Sequence, residues 1–272
     1  MLSHNYTHWV SRAMLVATLA CTTAFRADKG TPGGTYLYKI SSPAGHTTLE
    51  YNADKSLRKL IRVHQSEDAA YQDILLPMYE NGHLLKTFST EDGTALTGDL
   101  NTTLEYAPSG NQVRKISYYR NNAVYTIDSL AFNADGKIST RYHLALNPAT
   151  SAWEISGYQL YSWDQHGDVT RMDNFGKQPG REDFQMTSSV TYNYDNGQNP
   201  QQLRPELAYV LDATAANLSV HNILSEKISI EGASSAVIHN YSYTYNADKY
   251  PVSATFSGGV NGETVKLEWV RL

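Results

Sequence analysis

Five aspartates, Asp54, Asp135, Asp164, Asp195 and Asp248, recur one to three residues after an aromatic side chain. Their oxygens are hard ligands and could in principle hold calcium. A calcium loop, however, gathers several acids within one loop, and each of these stretches offers about one, placed where Asn and Asp satisfy turn amides. The expectation is structural aspartate and no metal. Histidines His46, His64, His83, His143, His166, His221 and His239 are too scattered to suggest a chelating pair, so zinc is not expected and each is read as solvent-facing or strand-lining. No G-x-S-x-G, P-loop or dinucleotide fingerprint occurs, and no cofactor is expected. The acidic pairs Glu67-Asp68, Glu91-Asp92 and Glu182-Asp183 fall in expected loops. A glycoside hydrolase would have to assemble its two carboxylates from scattered positions. Three tryptophans, Trp153, Trp163 and Trp269, are candidates for stacking on sugar rings.

The elements that would position these residues are hairpins. In Ser129 to Tyr142 (SLAFNADGKISTRY), Leu130 and Phe132 alternate with polar or small neighbours before the turn, and Ile138, Thr140 and Tyr142 alternate after it. That is the period-2 pattern of half-buried strands. Asn133 can accept from the backbone two residues on, and Gly136 supplies the positive φ that closes a type I turn with a bulge.

Relatives of this unit recur. The aromatic before each turn is Tyr51, Tyr79, Tyr106, Phe132, Trp163, Tyr194 or Tyr245, at steps of 28, 27, 26, 31, 31 and 51 residues. Five similar steps make a period, and self-similarity in this range means stacked supersecondary units. These aromatics are expected to point together into the better-buried face. The turn after Tyr194 is read as Asp195-Asn196-Gly197. The long last step contains an insertion, about 200–227, in which Leu203, Leu207, Val210 and Leu211 form a helical stripe behind Pro205, predicting one helix over 205–216.

Composition agrees with β structure: 20 Tyr and only 18% charged residues, with a net charge of -5 that offers nothing to nucleic acid. The single cysteine, Cys21, excludes an intrachain disulfide. It ends an apolar run from Ala13 to Ala20 of signal-peptide length, too short to span a bilayer. Thr18-Leu19-Ala20-Cys21 resembles a lipobox, which implies removal of residues 1–20 and lipid on Cys21. The other reading is ordinary cleavage after Ala24. Residues 21–35, with Pro32-Gly33-Gly34, read as a flexible tether.

VTYNYDNGQ (190–198), LAFNADGKIS (130–139) and YTYNADKYPV (243–252) resemble the tyrosine-aspartate hairpin repeats of Rhs-type and teneurin-type shells. They are more similar still to single-chain secreted lipoproteins of Gram-negative gut bacteria built from the Y-x-Y-D-x-x-G unit. The resemblance covers roughly 36–272. It implies a fold and a cell-envelope location, periplasmic or surface-exposed, but no activity. The expected architecture is one all-β domain over 36–272, a curved antiparallel sheet of consecutive β-hairpin repeats with one inserted short helix. The expected function is a non-catalytic lipoprotein that binds a glycan, a peptide or an envelope protein, touching the membrane only through its N-terminal lipid. The alternative is a glycoside hydrolase-type enzyme.

Overall fold

The computed structural model describes residues 34–65, 70–108, 110, 112–177, 181–202, 204–257 and 263–272. Cys21, the signal-like run, Glu67-Asp68 and Leu203 lie outside them. Sixteen strands follow in chain order: β1 Thr35–Ser42, β2 Gly45–Tyr51, β3 Leu57–Gln65, β4 Ala70–Glu80, β5 His83–Thr90, β6 Asp99–Tyr106, β7 Val113–Arg120 and β8 Ala123–Phe132, then β9 Ile138–Leu146, β10 Trp153–Trp163, β11 Val169–Lys177, β12 Phe184–Gln198, β13 His221–Ile230, β14 Val237–Tyr245, β15 Pro251–Ser257 and β16 Glu263–Arg271. Every strand pairs antiparallel with its sequence neighbours. β1 also pairs with β16, through contacts such as Tyr36 with Val270 and Ile40 with Leu267. The expected curved sheet therefore closes into a barrel, which leaves neither edge strand exposed.

The central turn forms as its sequence dictates. Asn133 N–H donates to Lys137 O, Asn133 Oδ1 accepts from the amides of Asp135 and Lys137, and Gly136 has φ 75°. The same turn recurs at Asn52 and Asn246, where Lys55 and Lys249 take the left-handed position at φ 70° and 64°. It recurs again at Asp164, whose Oδ1 accepts from the amides of His166, Gly167 and Asp168. Partial burial opposes ionisation there, but those amides hold the carboxyl below its usual range. These turns crowd one end of the barrel.

The alternation of side chains gives the wall its two faces. On β16, Val265, Leu267 and Trp269 face inward and Thr264, Lys266 and Glu268 face water. On β14, His239, Tyr241 and Tyr243 alternate with exposed Asn240, Ser242 and Thr244, and on β12 Val190, Tyr192 and Tyr194 alternate with exposed Thr191 and Asn193. Six of the seven pre-turn aromatics pack against the inner core, as expected; Tyr245 is the exception, bonding the Asp195 carboxylate instead. On β4 the outward Ile74 and Leu76 are also buried. The β5–β6 connection folds back over that wall, where Gly93 O accepts from Lys59 Nζ at 2.7 Å and Glu91 O from Gln72 Nε2 at 2.7 Å.

Sixteen strands enclose a lumen too wide for wall side chains to fill. Residues 199–202 and 204–220, between β12 and β13, occupy it at the turn end. The predicted single helix is replaced by two one-turn helices, α1 Leu207–Val210 and α2 Ala215–Leu218. The helix breaks after Leu211: the Ala213 amide bonds the Asp212 side chain instead of the 209 carbonyl, Thr214 is extended, and the segment is then tied down as Asp212 O accepts from Asn217 Nδ2 at 2.6 Å and Ala213 O from Tyr161 Oη at 2.9 Å. Leu207, Val210, Ala213 and Ala215 join the same core as the inward side chains of the wall. Full burial of one such Leu is worth about 1.5–3 kcal/mol. Asp195-Asn196-Gly197 is accordingly not a turn. β12 runs on to Gln198, which pairs with His221 across a bulge, and Asp195 Oδ1 accepts from Gly197 and Asn222 amides.

Candidate functional site

Two layers of inward residues make up the lumen. At the turn end, aromatic side chains latch several of the hairpins to the one before. Tyr51 Oη donates to Leu37 O at 2.6 Å, Tyr106 to Leu84 O at 2.9 Å, Tyr194 to Val169 O at 2.6 Å and Tyr243 to Ile223 O at 3.0 Å. Trp163 and Trp269 use their indole N–H in the same way, on Ile138 O at 2.7 Å and Pro251 O at 2.8 Å. Burial raises the phenols, Tyr161 and Tyr243 to about 12, so they remain neutral donors.

The plug formed by 199–202 and 204–220 is held from both sides. Arg204 lies over the rings of Tyr36 and Tyr51 on β1 and β2, 4.3 and 5.2 Å from their centroids. On the opposite wall Arg141 Nη1 meets Asp212 Oδ1 at 2.5 Å, and Ser219 Oγ accepts from Val169 N and donates to Tyr194 Oη. Burial pushes the Glu206 carboxyl upward, with Arg204 opposing.

Above the plug the inward side chains are polar. Asp128 on β8, 2% exposed, takes Arg141 through Nε and Nη2, His143 Nδ1 at 2.6 Å and Tyr118 Oη at 2.8 Å. Burial alone would raise this carboxyl, but those donors hold it below its usual range. Gln159, Asn174 and Ser188 form a hydrogen-bonded row across β10, β11 and β12 at 2.9 and 3.0 Å. On β13 and β14, Glu226 Oε2 accepts from Tyr241 Oη at 3.1 Å and lies 3.3 Å from His239 Nδ1. On β3 and β4 Arg62 pairs with Asp73, and His64 stacks on Tyr71 at 4.6 Å, Tyr71 being 62% exposed. Inward groups are thus sealed at the turn end and partly exposed toward the other, so solvent enters the lumen from the open end.

The three tryptophans do not share a surface. Trp163 and Trp269 are turned to the sealed end, whereas Trp153 sits near the open end opposite Leu146. The acidic residues that matter in the lumen, Asp128, Asp212 and Glu226, were not singled out by the sequence; the histidines were read as solvent-facing or strand-lining, and their pairing with acids was not expected. His143 and His239 meet acids 15 and 13 positions away, and His221 meets Asp168 at 2.7 Å across 53 positions. The only local signal was their inward parity on their strands.

Among solved structures, a porin-like protein from Bacteroides uniformis matches 88% of this chain and 98% of its own at 10% identity, with a TM-score of 0.56. The chain has the fold of a porin-like β-barrel. A second porin-like protein, from Bacteroides vulgatus, matches 88% of this chain and 100% of its own at 15% identity with a TM-score of 0.48. The TcdB2–TccC3 structure matches 84% of this chain and 15% of its own at 12% identity, with a TM-score of 0.32. No protein-family model matches the sequence, and no curated protein matches it. Around the plug the chemistry of the wall is the reverse of a membrane-spanning barrel, which is apolar outside and polar inside. Here the apolar face surrounds the plug, and Arg58 and Glu50 pair on the outside at 2.6 Å, as Lys266, Glu268 and Lys227 stand in water.

Proposed function

We propose that the protein is a non-catalytic binding protein of the cell envelope that takes a neutral, hydroxyl-rich ligand, a glycan, into the open half of its barrel. One observation carries this reading: the plug seals the turn end, while the open half presents aromatic, amide and hydroxyl groups to water, with its acids already matched by Arg or His. Neutral sugars are bound by such mixed aromatic and hydrogen-bonding surfaces. Closure at one end speaks against a conducting pore. Asp128, with four donors on its two oxygens, is poorly placed to act as a general acid or base, which weighs against the hydrolase alternative.

Envelope location rests on the signal-like run and the lipobox-like Thr18-Leu19-Ala20-Cys21, with 21–35 as tether. An intact-mass measurement on the membrane-extracted protein is expected to show diacylglycerol or further acylation at Cys21; an unmodified N-terminus at Phe25 removes the anchor. Glycan-array screening of the purified chain, followed by calorimetry, is expected to find an oligosaccharide ligand whose affinity drops at least tenfold in Tyr71→Ala and Tyr241→Ala. A screen that retains only peptides, or only envelope proteins, overturns the glycan assignment.

A further inference from the structure

The outer wall is not polar all the way round. On β8 to β12, toward the open end, outward positions turn apolar in three successive rows. Register sets Tyr142 beside Tyr158 and Tyr158 beside Phe175. One step nearer the open end, Ile127 meets Leu144 and Leu144 meets Ile155. One step further, Leu146 meets Trp153, with Tyr125 alongside. Tyr125, Leu146 and Ile155 are exposed by 45, 47 and 38%. Tyr158 and Phe175 stack at 4.6 Å with planes 10° apart, and Phe184 meets Tyr158 edge-on at 5.3 Å, so the surface is already ordered.

The other outward apolar strip, Ile74 and Leu76, is buried under the β5–β6 connection. Nothing among the described residues covers this one. With its partly exposed neighbours the sector offers on the order of several hundred Å² of apolar surface, the scale at which an exposed patch marks an interaction site and a large part of the ~800 Å² each partner contributes to a stable complex. Its content of Tyr, Trp, Phe and Leu, with Arg120 over the Tyr125 ring at 4.6 Å and Lys177 over the Phe184 ring at 5.3 Å, is that of an interface core with cations at its edge.

We propose that this sector is the interface of a two-fold symmetric dimer of the chain. A closed barrel has no free strand edge, so copies must meet face to face, and an isologous contact satisfies the sector with one copy of itself. A bilayer is the poorer occupant. Gly34 and Thr35, where the described chain enters the barrel, stand at the sealed end and eight places round the ring from β9, on the side away from this wall.

The test uses the full chain carrying Cys21→Ser, so that acylation cannot gather copies in micelles. Light scattering at tens of micromolar is expected to give a dimer, and Leu146→Asp with Ile155→Lys is expected to give a monomer with unchanged circular dichroism and a denaturation midpoint that no longer rises with protein concentration. Lys266→Glu, on the opposite wall, leaves the dimer intact. As a second reading, Leu144→Cys in the Cys21→Ser chain should oxidise to one covalent dimer while Lys266→Cys does not. A monomeric parent chain, a dimer indifferent to the Leu146 and Ile155 changes, or a parent monomer that sediments with phosphatidylcholine vesicles overturns the proposal.

Discussion

At the sealed end one turn geometry recurs at Asn52, Asn133, Asp164 and Asn246, with the two-residue turn Asn81-Gly82 as an exception, and Tyr51, Tyr106, Trp163 and Tyr194 close on carbonyls of the preceding hairpins. At the open end the connections differ. Asn121-Asn122 is a two-residue turn with both residues at positive φ, Asn147–Ala152 is a wider polar loop, and the β5–β6 connection lies down on the outer wall. The contrast separates the residues that set the fold from those free to vary. Repetition is a folding requirement at one end, and variation on a rigid scaffold is where binding is usually placed.

The largest expected effect lies between the two layers. Asp128→Ala leaves Arg141 buried without its main partner and loosens its grip on Asp212, so stability should fall by about 3–5 kcal/mol in urea denaturation. The same carboxylate sets a pH limit. Its folded value lies below its unfolded one, so its stabilisation is present above about pH 4 and disappears as pH falls through the folded value. Glu206 acts with the opposite sign: its raised value means stability is lost as pH rises above 4.5 through the folded value, and Glu206→Gln should raise the midpoint at pH 7 and flatten that limb.

Next comes the latch to the plug. Tyr161→Phe strips the donor from the buried Ala213 carbonyl and should cost about 1–3 kcal/mol. An unchanged midpoint would mean that water replaces the hydroxyl and that the sealed end is wetter than its burial indicates. A smaller change runs the other way. Lys55→Gly and Lys249→Gly place glycine where lysine holds a left-handed backbone, and each should gain about 1 kcal/mol or less. Least of all, replacing Glu231–Ala236 at the open end with Gly and Ser of equal length should alter stability by no more than about 0.5 kcal/mol. If it instead unfolds the barrel, the division between the two ends fails.

Much of the wall was legible because its rules are local. The turn at Asn133 to Gly136 needs one side-chain oxygen and one glycine, and the parity of Val190, Tyr192 and Tyr194 reads straight off the strand. Closure was not legible, since nothing in Tyr36 or Val270 announces the other. The helix over 205–216 was misjudged because its pattern is helical while the Ala213 amide goes to the Asp212 side chain, Thr214 is extended and Tyr161 from another strand holds the Ala213 carbonyl. Asp195-Asn196-Gly197 carries turn chemistry, but Asn222 and Tyr245 engage the aspartate and the strand continues. The lumen's His and acid pairs were invisible for the same reason, as each unites residues on different strands.

The seam between β1 and β16 has a kinetic meaning. Tyr36 pairs with Val270, 234 positions later (270 − 36), and Gly34 O accepts from Leu272 N at 3.2 Å. Until both strands exist, a growing sheet carries two unsatisfied ladders of amides and carbonyls, each able to recruit another chain. Joining them demands the longest loop closure in the molecule, a kind of step that slows folding and prolongs exposure to aggregation. Diluting the chain, or pre-linking its two seam strands through their adjacent ends and opening a new terminus at Asn121-Asn122, should therefore raise refolding yield while leaving the equilibrium structure as it is.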